Sequence, residues 1–407
     1  MKAIKWVGDS LDEPAIIAVD LGNNFLKVYA FFIEDGVLRN NQFSMPHGYV
    51  DLNETAWVEA QKADKLSRGR SKMSHTFRIV TGGTAKAPKF KAVSIGASAF
   101  NSGKNKPLLG SNKYVEGGID ALLCAVLSEV FPKNKYPKGH NNLIVGYGFP
   151  STEWQQVTDI ESLIKKTHRI VDPDGNKRSF RVRASVAWDE NVGGLVNTMS
   201  YQQNGRDPQT GKFSQRDFEA GDRVLIFDAG GWLGSMAWAT INDDGFAEME
   251  YNNDIVGIDG GAITVRSSLR ETMKLKFPQL KGMRDKDLRD KELDEALKTK
   301  QYVVSGDKEH PLDISDAIKD SLGYVKTVQE VYINQFGSGR AASHILMTGG
   351  TSNPLYEYLT EVFNHHSIHL AGNREKIYMA NVRGGMVIIV DQLITESLLP
   401  PQFKDLG

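Results

Sequence analysis

Two strand-like runs of apolar residues end in the same way along this 407-residue chain. The first is Ile16-Ile17-Ala18-Val19, closed by Asp20-Leu21-Gly22-Asn23-Asn24, with a return run from Lys27 to Ile33. The second is Val224-Leu225-Ile226-Phe227, closed by Asp228-Ala229-Gly230-Gly231-Trp232-Leu233-Gly234-Ser235, with a return run from Met236 to Ile241. Each reads as a β-hairpin that carries a carboxylate at the mouth of a glycine turn. Such turns let backbone approach a ligand closely, and their consecutive amides cradle phosphate oxygens.

The other periodic segments fall around these hairpins. Short apolar strands are expected at 92–96, 142–148 and 184–188, and a hairpin over 168–186 turns at Asp172-Pro173-Asp174-Gly175. Helical spacing predicts helices over 117–130 and 262–276, and one long helix over 314–334 (Ile314, Ala317, Ile318, Leu322, Val325, Val328, Val331, Tyr332). Gly193-Gly194 is read as opening a helix to about Met199, Pro354 as preceding another, and Gly384-Gly385 as starting a last one from Met386 to Leu393. Ser151-Thr152-Glu153 offers caps for a helix after Pro150. The mixed-sign run 281–300 reads as an exposed, charge-paired helix, 40–90 is polar and weakly patterned, and 201–222 looks like the change of halves. Arg178, Arg181 and Arg183 are taken as a solvated strand face.

Composition narrows the picture without redirecting it. The chain is 40% hydrophobic and 24% charged with a net charge of −1, so no global field draws it to nucleic acid or membrane. The single cysteine, Cys124, lies in an apolar run and excludes an intrachain disulfide or a thiolate-rich zinc site. Residues 1–14 read as a polar leader without a signal-peptide core, and no run is expected to span a bilayer. A cytoplasmic protein with no membrane partner is the expectation. Thr81-Gly82-Gly83-Thr84 is a turn rather than a phosphate loop. Arg68-Gly69-Arg70-Ser71-Lys72 is a solvated basic loop, and His365-His366-x-x-His369 a helix end rather than a zinc site. Trp6, Trp57, Trp154, Trp188 and Trp238 are taken as packing residues.

One chemistry accounts for the order of the motifs. A nucleoside triphosphate needs donors on its phosphates, a magnesium ion, a group that orients the attacking water and a slot for the base. Asp20 and Asp228 suit a hydrated Mg²⁺, since that ion gives up its waters reluctantly. Lys27 lies across the first hairpin, within reach of a phosphate. Glu190 ends a strand between the hairpins and is the candidate for activating water, with Asp189 as its rival. Gly349-Gly350-Thr351 offers close backbone for an adenosine.

These residues, over nearly the whole chain, resemble the actin-like ATPases, and among them the bacterial ParM/StbA plasmid-segregation type. Asp20-Leu21-Gly22-Asn23-Asn24 to Lys27 is similar to the first phosphate motif and Asp228-Ala229-Gly230-Gly231 to the second. Glu190-Asn191-Val192-Gly193-Gly194 matches the segment with the water-positioning acid, and His344 to Ser352 the adenosine motif. Val145 to Pro150 and Ala380 to Gly385 fit further segments of the pattern. The chain departs from it at Trp232 and Leu233, where hydroxyl residues are common, with Ser235 a partial substitute.

The resemblance implies an α/β actin-like fold with two related domains and a nucleotide cleft between them. Residues 15–222 would form domain I, with an inserted subdomain near 35–110. Residues 223–380 would form domain II, with another near 270–340, and 381–407 would return to domain I. It implies a Mg²⁺-dependent ATPase, with GTP as the alternative nucleotide, whose head-to-tail self-assembly gives open filaments. Its partners would be further copies of itself and a DNA-binding adaptor, with plasmid DNA engaged only indirectly. The alternatives are a non-polymerising sugar kinase or chaperone ATPase of the same fold, and a filament serving an organelle or a phage.

Overall fold

The computed structural model describes residues 13–22, 25–66, 73–84, 87–100, 118–150, 157–203, 218–243, 247–250, 255–304, 309–363, 366–371 and 377–406. The leader up to residue 12, Asn23, Asn24, the basic run at 68–72, the caps at 151–153, His365 and most of 201–222 lie outside the described residues. Backbone contacts group the chain into two units, residues 1–193 with 385–407, and residues 194–384.

The first unit is built on β1 (Ala15–Leu21), β2 (Phe25–Glu34), β3 (Val37–Pro46) and β4 (Tyr49–Leu52). There follow α1 (Glu54–Leu66), β5 (Ser74–Gly83), β6 (Pro88–Gly96), α2 (Ala97–Phe100), α3 (Gly118–Val130) and β7 (Gly139–Phe149). Then come α4 (Val157–Ile164), β8 (Thr167–Val171), β9 (Lys177–Asp189) and α5 (Glu190–Gln203), which crosses the unit boundary. Nine strands make one sheet in the order β3-β2-β1-β7-β9-β8-β5-β6-β4. Its centre, β1, β7 and β9, is parallel. Every residue of β1 is buried, which accounts for its unbroken apolar run. Helix α3 is apolar almost all round and packs Ile119, Leu122, Leu123, Val126 and Val130 into the same core as Ile17, Val19, Val28 and Val145. Each such side chain contributes roughly 1.5–3 kcal/mol on full burial.

The second unit repeats the central plan. It holds β10 (Arg223–Ala229), β11 (Leu233–Ile241), β12 (Ala247–Met249), β13 (Val256–Asp259) and α6 (Ala262–Lys276). These are followed by α7 (Asp290–Thr299), the short strands β14 (Gln301–Tyr302) and β15 (Leu312–Asp313), α8 (Ser315–Ser321) and α9 (Gly323–Asn334). The unit continues with β16 (His344–Thr348), α10 (Tyr356–Val362), β17 (Ile368–Leu370) and the start of α11 (Ala380–Thr395). Strand β10 pairs antiparallel with β11 and parallel with β16, which pairs parallel with β17. In each unit, then, a hairpin feeds its first strand into a parallel core. Strand β10 is buried on both faces. Leu225, Phe227 and Ala229 meet α6 and α9, while Val224 and Ile226 meet Leu195 and Ala380.

Several local expectations change. The long 314–334 helix is two, broken at Leu322 and restarted at Gly323. Within 281–300 only 290–299 is α-helical; 285–287 is a tight turn tied back to α6 by the Lys274–Asp285 pair. Helix α5 begins at Glu190, not at the glycine pair, because Asp189 Oδ1 accepts the Asn191 N–H at 2.9 Å and caps it. Helix α11 likewise starts before Gly384. Arg178 is not on a solvated face: it is buried, donates to the Phe131 carbonyl and lies 4.9 Å over Phe180. Its offset of three from Arg181 puts it on the opposite side of the strand. By length and composition the segment Ile377–Thr395 passes for a membrane span, contrary to expectation, but most of it is buried inside the protein.

Candidate functional site

In the first unit, register gathers the predicted residues at the C-terminal ends of the parallel strands. Asp20 stands opposite Lys27 on β2 and beside Gly148 on β7, which pairs with Trp188 on β9. Lys27 Nζ meets Asp20 Oδ2 at 2.6 Å. The lysine foreseen as a phosphate ligand thus holds one oxygen of the acid. Asp20 is 1% exposed, and its other oxygen, Oδ1, has no hydrogen-bond partner among the described residues. A buried carboxylate oxygen without a partner is costly and suits a cation or its water. Gly22 follows directly; a Cβ there would stand 2.7 Å from the Phe25 carbonyl, so the turn closes only on glycine. Buried His47, which the sequence did not single out, braces this turn with Nδ1 2.9 Å from Gly22 O.

Glu190 starts α5 at the end of β9, and its side chain lies over Gly148, the strand neighbour of Asp20. A Cβ on Gly148 would come within 3.2 Å of Glu190 Cγ. Its rival Asp189 is buried and occupied in capping α5. Asp20, Lys27, Gly22 and Glu190 therefore share one end of one sheet, the usual place for ligands in open α/β sheets.

In the second unit, the turn after Asp228 is fixed by its carbonyls. Thr351 Oγ1 donates to Gly230 O at 2.6 Å, and the Ile263 N–H donates to Gly231 O at 3.2 Å. A trans peptide points its C=O and the next N–H to opposite sides. The inward carbonyl of Gly230 accordingly turns the Gly231 N–H away from Thr351 and α6. Thr351 also accepts the Ala262 N–H at 3.3 Å, filling one of the open donors at the start of α6. Close approach accounts for the glycines: a Cβ on Gly261 would meet Gly230 O at 2.3 Å. On Gly349, at φ +83°, a Cβ would meet Asp228 Oδ1 at 2.4 Å. Gly350 is exposed beside Tyr378, while Thr348 donates to Asn381 Oδ1 at 2.9 Å. Trp232 and Leu233, the departures from the pattern, are solvent-exposed, and Trp232 O accepts the Gly260 N–H at 3.0 Å. Ser235 stands opposite Asp228 in the β10–β11 ladder.

Among the described residues no group of three or more His, Cys, Asp or Glu side chains is placed to hold a metal. Each unit offers a cation one carboxylate, Asp20 with its unpartnered oxygen in the first and Asp228 in the second. A single carboxylate suits an ion such as Mg²⁺ that keeps its waters. Elsewhere, His366 Nε2 lies 3.0 Å from Ser338 O and His369 Nε2 3.1 Å from His344 Nδ1. Cys124 is buried, and burial pushes its thiol well above the usual range, so it is inert.

No protein-family model and no curated protein matches the chain. Solved structures do. A 15-stranded ParM filament from Clostridium botulinum aligns over 92% of this chain and 98% of its own, at 16% identity and a TM-score of 0.61. ParM from Bacillus thuringiensis, solved with ATP, aligns over 93% and 99% at 15% identity, with a TM-score of 0.61. An archaeal actin homologue aligns over 93% and 99% at 14% identity, with a TM-score of 0.62. At such identities the likeness is one of fold, and it spans nearly the whole chain: this protein has the actin-like α/β fold, in the form seen in ParM structures.

Proposed function

We propose that this chain is a cytoplasmic, Mg²⁺-dependent ATPase that assembles head to tail into filaments and moves plasmid DNA through an adaptor bound to centromere-like DNA. The observation that carries the reading is the Gly230–Gly231 turn at the end of the Asp228 strand: its carbonyls are held by Thr351 and α6, which turns the Gly231 amide the other way. An amide so fixed is a preorganised phosphate donor, and Asp228 is an acid suited to a hydrated cation. Asp20, with its second oxygen unpartnered, supplies the same chemistry in the first unit. Bound Mg²⁺ would neutralise phosphate charge. The chain's own residues would orient the phosphates (Gly22, Gly231), hold the Asp20 carboxylate (Lys27), align water (Glu190) and seat the adenosine against Gly349 and Gly350.

Two features of the neighbours support the proposal. One ParM was solved as a filament, and another with ATP and with ADP. The test is phosphate release from ATP by the purified chain, with and without Mg²⁺, and with GTP alongside. Mg²⁺-dependent turnover that Asp228→Ala abolishes supports the reading; normal turnover in that variant refutes it.

A further inference from the structure

Strand β7 gives up side chains at two positions where it enters the candidate site. Val145, Tyr147 and Phe149 face the core built on α3, so Gly146 and Gly148 belong to the other face of the sheet. Asp20, Gly148 and Trp188 are neighbours in register across β1, β7 and β9 and share that face. The space left at the two glycines is taken by the Trp188 indole. A Cβ on Gly146 would stand 3.1 Å from Trp188 Cζ3, and one on Gly148 would stand 3.1 Å from Cζ2 and 3.2 Å from Cε2. From the opposite side, a Cβ on Gly385 of α11 would run into the same edge of the ring. Three glycines on two elements therefore clamp one indole.

Glu190 enters the same space. Trp188 is the next-to-last residue of β9 and Glu190 the first of α5. Glu190 Cγ lies 3.2 Å from the point a Gly148 Cβ would occupy, as close as Trp188 Cε2. The stem of the acid and the edge of the ring thus converge over one backbone position, the strand neighbour of Asp20. The indole is 2% exposed, and its N–H has no hydrogen-bond partner among the described residues. A phenyl ring would enter the slot without a buried donor left unmatched. It would lack the benzo edge, Cε2, Cζ2 and Cζ3, which holds the atoms that reach Gly146 and Gly148. A glutamate has several free torsions, and a stem without a wall would point its carboxylate in many directions.

We propose that Trp188 is a positioning residue for Glu190: its clamped benzo edge is the wall that keeps the Glu190 stem over Gly148 and so fixes where the carboxylate meets water. The task of Glu190 rests on the functional reading above; the contact between the two side chains does not.

The experiment is a double-mutant cycle of Trp188→Phe and Glu190→Ala on the full chain, read in two ways. Without nucleotide, the Trp188 emission is taken as the difference between each protein and its Trp188→Phe counterpart. Glu190→Ala uncovers the ring edge, so this component shifts to the red and acrylamide quenches it more readily. An unchanged component means that the stem does not lie against the indole, and overturns the proposal whether or not the protein uses ATP. With Mg-ATP, Trp188→Phe lowers kcat about ten- to hundredfold, the usual loss for a misplaced group, while ATP binds as tightly as in the parent. In the Glu190→Ala background it lowers kcat no further. Equal losses in both backgrounds, or weakened ATP binding, mark a merely structural residue and also overturn it. Should Trp188→Phe fail to fold, the total emission of Glu190→Ala against the parent decides. If the parent turns over no ATP, the ATPase reading fails by itself, and the emission decides whether Trp188 holds Glu190.

Discussion

Replacing Thr351 by valine tests the phosphate turn without touching any atom proposed to meet a ligand. The side chain is 2% exposed and keeps nearly the same volume, so packing is preserved while one hydroxyl is lost. That hydroxyl serves two groups, donating to Gly230 O at 2.6 Å and accepting from the Ala262 N–H at 3.3 Å. Both partners would be left buried and unmatched, at about 1–3 kcal/mol each. Discounting the longer bond, the expected loss is about 2–4 kcal/mol. For a unit of this size that is a fall in thermal midpoint of roughly 5–15 °C. Thr351→Ser keeps the hydroxyl and loses one methyl, about 1 kcal/mol. Denaturant unfolding of the three proteins measures the difference directly. A Mg-ATP titration should show weaker binding in the valine variant and near-parent binding in the serine variant. If valine is as stable as the parent, or if serine and valine behave alike, the hydroxyl does not hold the turn and the reasoning fails.

Three further outcomes are expected. Glu190→Ala should slow ATP turnover about 10²–10⁴-fold, the usual worth of a positioned general base, while ATP-driven assembly persists; unchanged phosphate release would remove Glu190 from that role. Gly349→Ala should cost about 2–4 kcal/mol in denaturant unfolding, because the residue is held at φ +83° and a Cβ would press on Asp228 Oδ1 and Ala229 O; a parent-like midpoint would contradict the geometry. Burial would raise the Asp120 carboxyl, but His168 at 2.7 Å and Lys166 at 2.9 Å outweigh it and hold the carboxyl below its ordinary range. Because the unfolded chain then takes up the proton first, this contribution is complete above the ordinary carboxyl range near pH 4 and is lost as pH falls through the lower folded value. The stability gap between parent and Asp120→Asn should therefore shrink as pH falls below about 4; a gap that widens there would refute the assignment.

What the sequence revealed depended on whether a residue's role was local. Helix α6 was legible over its full length because its apolar positions recur at helical spacing. The two hairpins were legible because fully buried strands leave unbroken apolar runs that end at an acid and a glycine. The break at Leu322 was not, since apolar spacing continues through it on both sides and only packing shows the restart at Gly323. The polar stretch 40–90 hid strands β4 and β5 and the first half of β6, whose second half was read as the strand at 92–96; their largely half-exposed residues give weak alternation. In the site, the acids and glycines carried a pattern. The residues that brace them were less legible: His47 acts through a contact 25 positions away along the chain and nothing in its neighbours marks it, while Asn381 lies in a segment that fits the pattern but its bond to Thr348, 33 positions away, shows only in the fold. The signal that was available, Gly260-Gly261 before α6, shows its meaning only once Gly261 is seen to lie against Gly230 and Gly231.

The most direct test of the functional account is light scattering of the purified chain after addition of Mg-ATP, with pelleting and electron microscopy of the product. The account predicts filaments with Mg-ATP that fall apart as ATP is consumed, that persist in Glu190→Ala, and that do not form with Asp228→Ala. A chain that binds and hydrolyses Mg-ATP yet stays monomeric at every concentration would contradict it and favour the non-polymerising ATPases of the same fold.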